Sequence, residues 1–228
     1  MRASTRIGIC AIALAIAFNI PFSVLAAIYD YPDMLRRPVG EALSRFAAGG
    51  PTLILTWYCF ALAALALAPL AVALSISYDR LARRPALAVG AAMAGALAGV
   101  VQAIGLLRWV FVVPGLAHGH SDPAAAAAAE QAFALINAYG GVAIGEHLGQ
   151  LLTGLFVVQL ACIQRGEGAR LAAWTGFATA AALAIGTGEG LAMALGRDGA
   201  TFAMVTIAGF LGLTLWLIAT GVNLIRQR

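Results

Sequence analysis

Lysine is absent from this chain of 228 residues; all 14 basic residues are arginine. Charge of either sign is scarce, at 11% of residues, against roughly 25% in an ordinary soluble domain. With 62% hydrophobic residues and a mean hydropathy of +0.90, too few polar groups remain to solvate a globular surface. The class that is left is an integral membrane protein. A net charge of +4 spread over the loops speaks for topology and against nucleic acid as a partner. We attribute the arginine-only bias, together with abundant Ala and Gly, to a GC-rich bacterial genome. Cysteine is rare too: Cys10, Cys59 and Cys162 share no C-x-x-C spacing and lie in apolar runs, which excludes a disulfide framework and a zinc ribbon. Familiar catalytic contexts are also missing. Glu146 and His147 are adjacent rather than spaced as H-E-x-x-H, the glycine patterns lie inside apolar runs, and no serine elbow accompanies His147.

What the chain has in quantity is long apolar runs. Six of them meet the requirement of about 20 residues for a bilayer span: Ile7 to Ile28, Thr52 to Ser77, Ala86 to Val113, Tyr139 to Ile163, Leu171 to Leu195 and Thr201 to Ile225. They are continuous rather than alternating, so helices are expected and not barrel strands. The expected fold is all-α: a polytopic six-helix transmembrane bundle forming a single domain over residues 1–228. Arg2 and Arg6 before a run ending V-L-A-A imitate a signal peptide. That run is 22 residues long, enough to span, and is read as a retained first helix.

Arginine also sets the expected orientation. Arg2, Arg6, Arg80, Arg83, Arg84, Arg165, Arg170, Arg226 and Arg228 fall on one side, and Arg36, Arg37, Arg45 and Arg197 on the other. The positive-inside rule then places both termini in the cytoplasm of a bacterial inner membrane.

Two outer loops carry mixed chemistry. In the first, Met34, Leu35, Val39, Leu43 and Phe46 recur among Arg36, Arg37, Glu41 and Arg45. This spacing predicts a short amphipathic helix on the membrane surface, with Pro38 near its first turn or dividing it. Such a helix either seals the bundle or gates a cavity. The second loop holds His118, His120 and Asp122, followed by six alanines and Glu130, which predict an extra helix. One helix from Ala124 to Ile163 would have 40 residues and a length of about 60 Å. A break or bend is therefore expected near Gly140 and Gly141.

Ionisable groups inside apolar runs are costly and mark candidate sites. On a helical wheel at about 100° per residue, Tyr139, Gln150 and Thr153 fall within about 40° of Glu146, with His147 about 100° round. Gly141, Gly145 and Gly149 lie beside this polar face at the spacing that admits a neighbouring backbone. Counting from the outer helix ends at about 1.5 Å per residue, Arg108, Glu146 and Glu189 all lie about 8 to 10 Å deep. Arg108 can pair bidentately with one of the two carboxylates. The other is left short of a positive charge, to be met by a proton, a protonated His147 or an entering cation.

The expected ligand-binding set is therefore Glu146, His147, Arg108, Glu189, Gln150 and Tyr139. It would line an outward-facing pocket that binds, senses or conducts a small cationic or protonatable ligand. The alternative is an intramembrane enzyme that holds a divalent metal through His147, Glu146 or Glu189, and His120. A third reading is a structural protein that forms a homo-oligomer or docks on a partner subunit.

Five stretches stand out together: F-N-I-P-F (Phe18 to Phe22), Y-D-Y-P-D (Tyr29 to Asp33), R-F-A-A-G-G (Arg45 to Gly50), V-Q-A-I-G-L-L-R-W-V-F-V-V-P (Val101 to Pro114) and G-E-H-L-G-Q (Gly145 to Gln150). In this combination the chain resembles a family of uncharacterised bacterial integral membrane proteins, catalogued as a domain of unknown function. The resemblance covers nearly the whole chain. It implies a compact multi-helix membrane domain, and with it no activity and no catalytic residues.

Overall fold

The computed structural model describes residues 3–226; Arg2 and Arg228 of the arginine count lie outside the described residues. The elements in order are α1 (Ala3–Tyr29), a 3-10 turn (Asp33–Arg36), α2 (Val39–Ser75), α3 (Tyr78–Arg83), α4 (Pro85–Phe111) and α5 (Val113–His120). Then come α6 (Ala126–Ile136), a π-helix (Asn137–Leu148), α7 (Gly149–Gly166), α8 (Arg170–Gly186), α9 (Gly188–Ala194) and α10 (Ala200–Arg226). Among the described residues there is no strand.

Among the described residues, six helical runs are long and apolar enough to cross a membrane: Ala3–Tyr29, Val39–Ser75, Pro85–His120, Ala126–Gly166, Arg170–Ala194 and Ala200–Arg226. Hydrocarbon offers the backbone no hydrogen-bonding partner, and a helix satisfies every N–H and C=O within its own segment. The chain is an all-α polytopic membrane bundle.

The first and last helices touch backbone to backbone. A Cβ on Gly8 would lie 2.6 Å from the Gly221 carbonyl oxygen, so the start of α1 and the end of α10 share one end of the bundle. At this terminal end Arg80 clasps the Glu167 carboxylate with two bonds of 2.6 Å, and Arg84 donates to the Cys162 carbonyl at 2.7 Å. These bonds tie the α2–α4 connection to the α7–α8 turn. The loop between α1 and α2, the α5–α6 corner and α9 occupy the opposite end.

The interior divides by chemistry. One core is built on small and aliphatic residues with Phe156 and Trp216 among them. Here Trp216 Nε1 donates to Gln164 Oε1 (3.1 Å) and Gln164 Nε2 to Thr220 Oγ1 (2.9 Å), a polar bridge between α7 and α10 whose side-chain amide is satisfied at both ends. The other core is aromatic: Tyr29, Phe46, Trp57, Trp109 and Phe133 are all buried. Trp57 and Trp109 stack at 4.7 Å and 8°, and Tyr29 meets both edge-on. Each such pair contributes about 0.5–1.5 kcal/mol beyond the area it buries.

Three local features differ from the sequence expectation. The amphipathic helix of the first loop does form, with Pro38 at its N-cap and the 3-10 turn before it. Its apolar side is core rather than membrane surface, since Leu43 and Phe46 are 0% and 2% exposed and pack on the aromatic cluster. It ends at Gly50, whose φ of 56° and ψ of −155° suit only glycine, so residues 39–49 and 51–75 are two helices meeting at a kink.

The second difference concerns Gly140 and Gly141. In place of the expected break or bend the α-helix passes into a π-helical stretch there, and the helical run continues from Ala126 to Gly166. Bonding from i to i+5 widens the turn and absorbs extra residues without interrupting the run. Third, the fifth span is broken at Thr187, where α8 gives way to α9.

Candidate functional site

The π-helix lies against α4 through glycine. A Cβ on Gly105 would stand 2.6 Å from Gly145 Cα, one on Gly141 would stand 2.5 Å from an Arg108 guanidinium nitrogen, and one on Gly149 would stand 2.7 Å from Gln102. The spaced glycines therefore admit the α4 backbone, the flat guanidinium and the Gln102 chain in turn. Gln102 Nε2 donates to Thr153 Oγ1 at 2.8 Å and closes the lower edge of this contact.

Arg108 is 6% exposed. It donates to the Gly105 carbonyl and, at 2.9 Å, to Asn137 Oδ1, and its guanidinium carbon lies 5.1 Å from the Trp109 ring centre. The expected bidentate pair with a carboxylate does not form, because the guanidinium is turned toward the π-helix N-terminus and held there by Asn137. Asp30, a possible competitor for Arg108, is bonded by Arg37 instead.

Glu189, in the first turn of α9, takes a different partner. Arg36 reaches it from the 3-10 turn at 2.6 Å, while the Glu189 side chain keeps only 15% of its exposure. Arg36 thus supplies the positive charge that the sequence reading left missing. Two arginines and two glutamates share the site, and the expected shortfall of one positive charge is corrected.

Arg108, Glu146, Gln150 and Glu189 line one cavity of about 190 Å³, together with Arg36 and Gln102. Asn19 and Thr214, joined at 2.9 Å, form part of a second wall with Thr206 and Ala15. A third wall is aromatic: Phe18, Phe22, Tyr31, Trp57, Phe60 and Trp109. Tyr31 meets Trp57 at 5.1 Å and Phe22 at 5.7 Å, both edge-on. Burial raises the Tyr31 phenol above its ordinary value and the Glu146 charge adds to this, so at neutral pH Tyr31 is a neutral hydroxyl. Among the described residues no hydrogen bond or ion pair engages the Glu146 carboxylate, although it faces this cavity.

Two expected residues lie elsewhere. Tyr139 is 67% exposed and does not line the cavity. A wheel at 100° per residue assumed an α-helix, whereas a π-helix turns less per residue, and seven residues of shortfall carry Tyr139 off the Glu146 face. His147 is also outside the cavity lining; its Nδ1 donates to the Thr187 carbonyl at 3.0 Å and so braces the α8–α9 junction.

The suggested metal set is not assembled. His120 sits over Gly40 with Nδ1 3.4 Å from Glu130, while His147 holds Thr187. Among the described residues no three His, Cys, Asp or Glu side chains gather to hold a metal ion.

A family described as a domain of unknown function, DUF4386, matches residues 7–221. The chain belongs to this family. No curated protein and no solved structure matches it. The DUF4386 match spans every residue named in the cavity, from Ala15 to Thr214. It carries the membrane bundle as a whole and assigns no activity to any of these groups.

Sequence reading missed Arg36 and the aromatic wall. The available signal for the wall was that F-N-I-P-F, Y-D-Y-P and T-W-Y-C-F each place aromatics near the same end of the first two spans. Arg36 is 44% exposed, so replacing it with Ala should cost less than about 1 kcal/mol of stability. Hydrogen exchange in detergent should nevertheless rise at residues 30–38 and in α9, and unchanged exchange in both would show that the ion pair holds nothing.

Proposed function

We propose that the cavity binds a small organic cation or protonatable amine at Glu146. The observation that carries this reading is a carboxylate on the cavity wall with no donor bonded to it, while both nearby arginines are engaged elsewhere. Glu146 is thereby the acceptor left for an N–H group from outside the protein. The rings of Tyr31, Trp57 and Phe60 on the same cavity suit the same guest, because a cation within about 6 Å of an aromatic face is attracted by the ring quadrupole. The loop carrying Tyr31, Leu35 and Arg36 covers the cavity as a lid, latched by Arg36 on Glu189.

The test is methylammonium binding to protein in lipid nanodiscs. Exchanging Glu146 for Gln keeps the shape and removes the charge, so affinity should fall by about 10- to 100-fold, the worth of one charge-assisted hydrogen bond. Equal affinity in the folded variant would overturn the reading.

The arginine distribution supports both termini in the cytoplasm of a bacterial inner membrane, with Arg80, Arg83, Arg84, Arg165 and Arg170 in the turns of the terminal end. In that orientation the cavity lies in the outer half of the bundle. Reporter fusions should then be active as cytoplasmic fluorescence after Arg83 and as external phosphatase after Asp122; the opposite pattern would invert the assignment.

A further inference from the structure

α1 and α10 together form one wall of the cavity. These helices are pinned where Gly8 meets Gly221, and farther along them Phe18, Asn19 and Phe22 line the cavity beside Thr206, Ile207 and Phe210. On the lipid side of the same seam lies an open groove lined by Ile16, Ile20, Val24 and Ile218, of which Ile16 and Ile20 are 53% and 60% exposed. Ala15, Asn19 and Thr214 line both spaces. At this level the hydrogen bond of 2.9 Å from Asn19 Nδ2 to Thr214 Oγ1 crosses the seam between the inner cavity and the outer groove.

The seam is also able to move. Leu211 lines the cavity and is still 55% exposed, so it stands at the mouth. Pro21 lies within α1, two residues from Asn19, and leaves the Ala17 carbonyl without its helical N–H partner. That lost bond lets α1 bend beside the seam while Gly8 and Gly221 keep its other end fixed.

We infer that the α1–α10 seam is a lateral portal through which a membrane-dissolved amphiphilic amine reaches Glu146, its alkyl chain lying in the groove along Ile16 and Ile20. The inference rests on the reading of Glu146 as the cation-binding carboxylate and adds the ligand class and the route. Asn19 and Thr214 lie near the middle of α1 and α10, so a long-chain amine, whose charged head rests at the interface, reaches them as the neutral amine. Those two groups are polar enough to hand the amine inward, and the apolar groove keeps the chain in lipid.

The experiment uses full-length protein in phosphatidylcholine nanodiscs, with Cys10, Cys59 and Cys162 changed to Ala and Asn19→Cys with Thr214→Cys introduced. Binding of nitroxide-labelled dodecylamine is followed by quenching of tryptophan fluorescence, before and after the two cysteines are joined by a bifunctional thiol reagent. Joining them should slow dodecylamine binding by roughly tenfold relative to the same double-cysteine protein left unjoined.

Equal dodecylamine rates in joined and unjoined protein, with Glu146→Gln still weakening methylammonium, would overturn the portal and leave the cation site standing. Failure of both amines to bind the unaltered protein would remove the cation site and the portal together. Faster binding of dodecanol than of dodecylamine, unaffected by Glu146→Gln, would mark the groove as a lipid surface and also overturn the inference.

Discussion

Gly105→Leu should leave little folded protein. The Cβ alone would stand 2.6 Å from Gly145 Cα and 3.1 Å from the Gly140 carbonyl oxygen, both backbone atoms that cannot swing aside as a side chain can. The π-helix would have to move off α4, and overpacking of a tight contact costs about 1–3 kcal/mol even when some relaxation is available. Leucine adds three further carbons to the same space. Gly105→Ala is the graded version, and unfolding in mixed micelles should rank native above Ala above Leu. A leucine variant as stable as the native protein would mean that the two helices do not meet through glycine.

Arg108→Leu is expected to be nearly as damaging, for an electrostatic reason. The substitution strips the Gly105 carbonyl and Asn137 of their donor and leaves Glu146 facing the site without that positive charge. Two acceptors left without their donor cost about 1–3 kcal/mol each, and Glu146 loses the partner charge that offsets its burial. Neutralising Glu146 should therefore restore part of the loss. Arg108→Leu combined with Glu146→Gln is expected to be more stable than Arg108→Leu alone, read as the coupling in a double-mutant cycle. Additive losses would show that Arg108 acts only through Asn137 and Gly105.

Much of the bundle was legible because lipid imposes simple rules on sequence. Uninterrupted apolar runs give the number of helices, and the glycine spacing on the fourth span marks where another backbone comes close. Depth along each run also brought Arg108, Glu146 and Glu189 to one level, and the structure has all three on a common cavity. What could not be read was pairing. Depth says nothing about azimuth, so Arg108 was assigned a carboxylate when its fork is turned to Asn137. Arg36 was placed in a loop, and a loop residue has no fixed depth until the loop folds back on the bundle. The wheel failed at Tyr139 because the choice between i to i+4 and i to i+5 bonding is made by tertiary packing on α4, and the local sequence N-A-Y-G-G-V-A-I-G permits both.

The π-helix gives the site an unusual dependence on chain length. Residues 137–148 connect two helical segments whose faces are set by separate neighbours, α5 and α2 above and α8 and α4 below. Deleting one residue between Asn137 and Gly145 would leave every cavity side chain present in the sequence and, with the bonding pattern unchanged, shift the register between the two segments. Everything below the deletion would then turn by about 100° relative to everything above it. Glu146 would leave the aromatic wall while Asn137 stayed beside Arg108. The position of the carboxylate is in this sense a matter of counting, and a one-residue frame separates a cavity with an acceptor from a cavity without one.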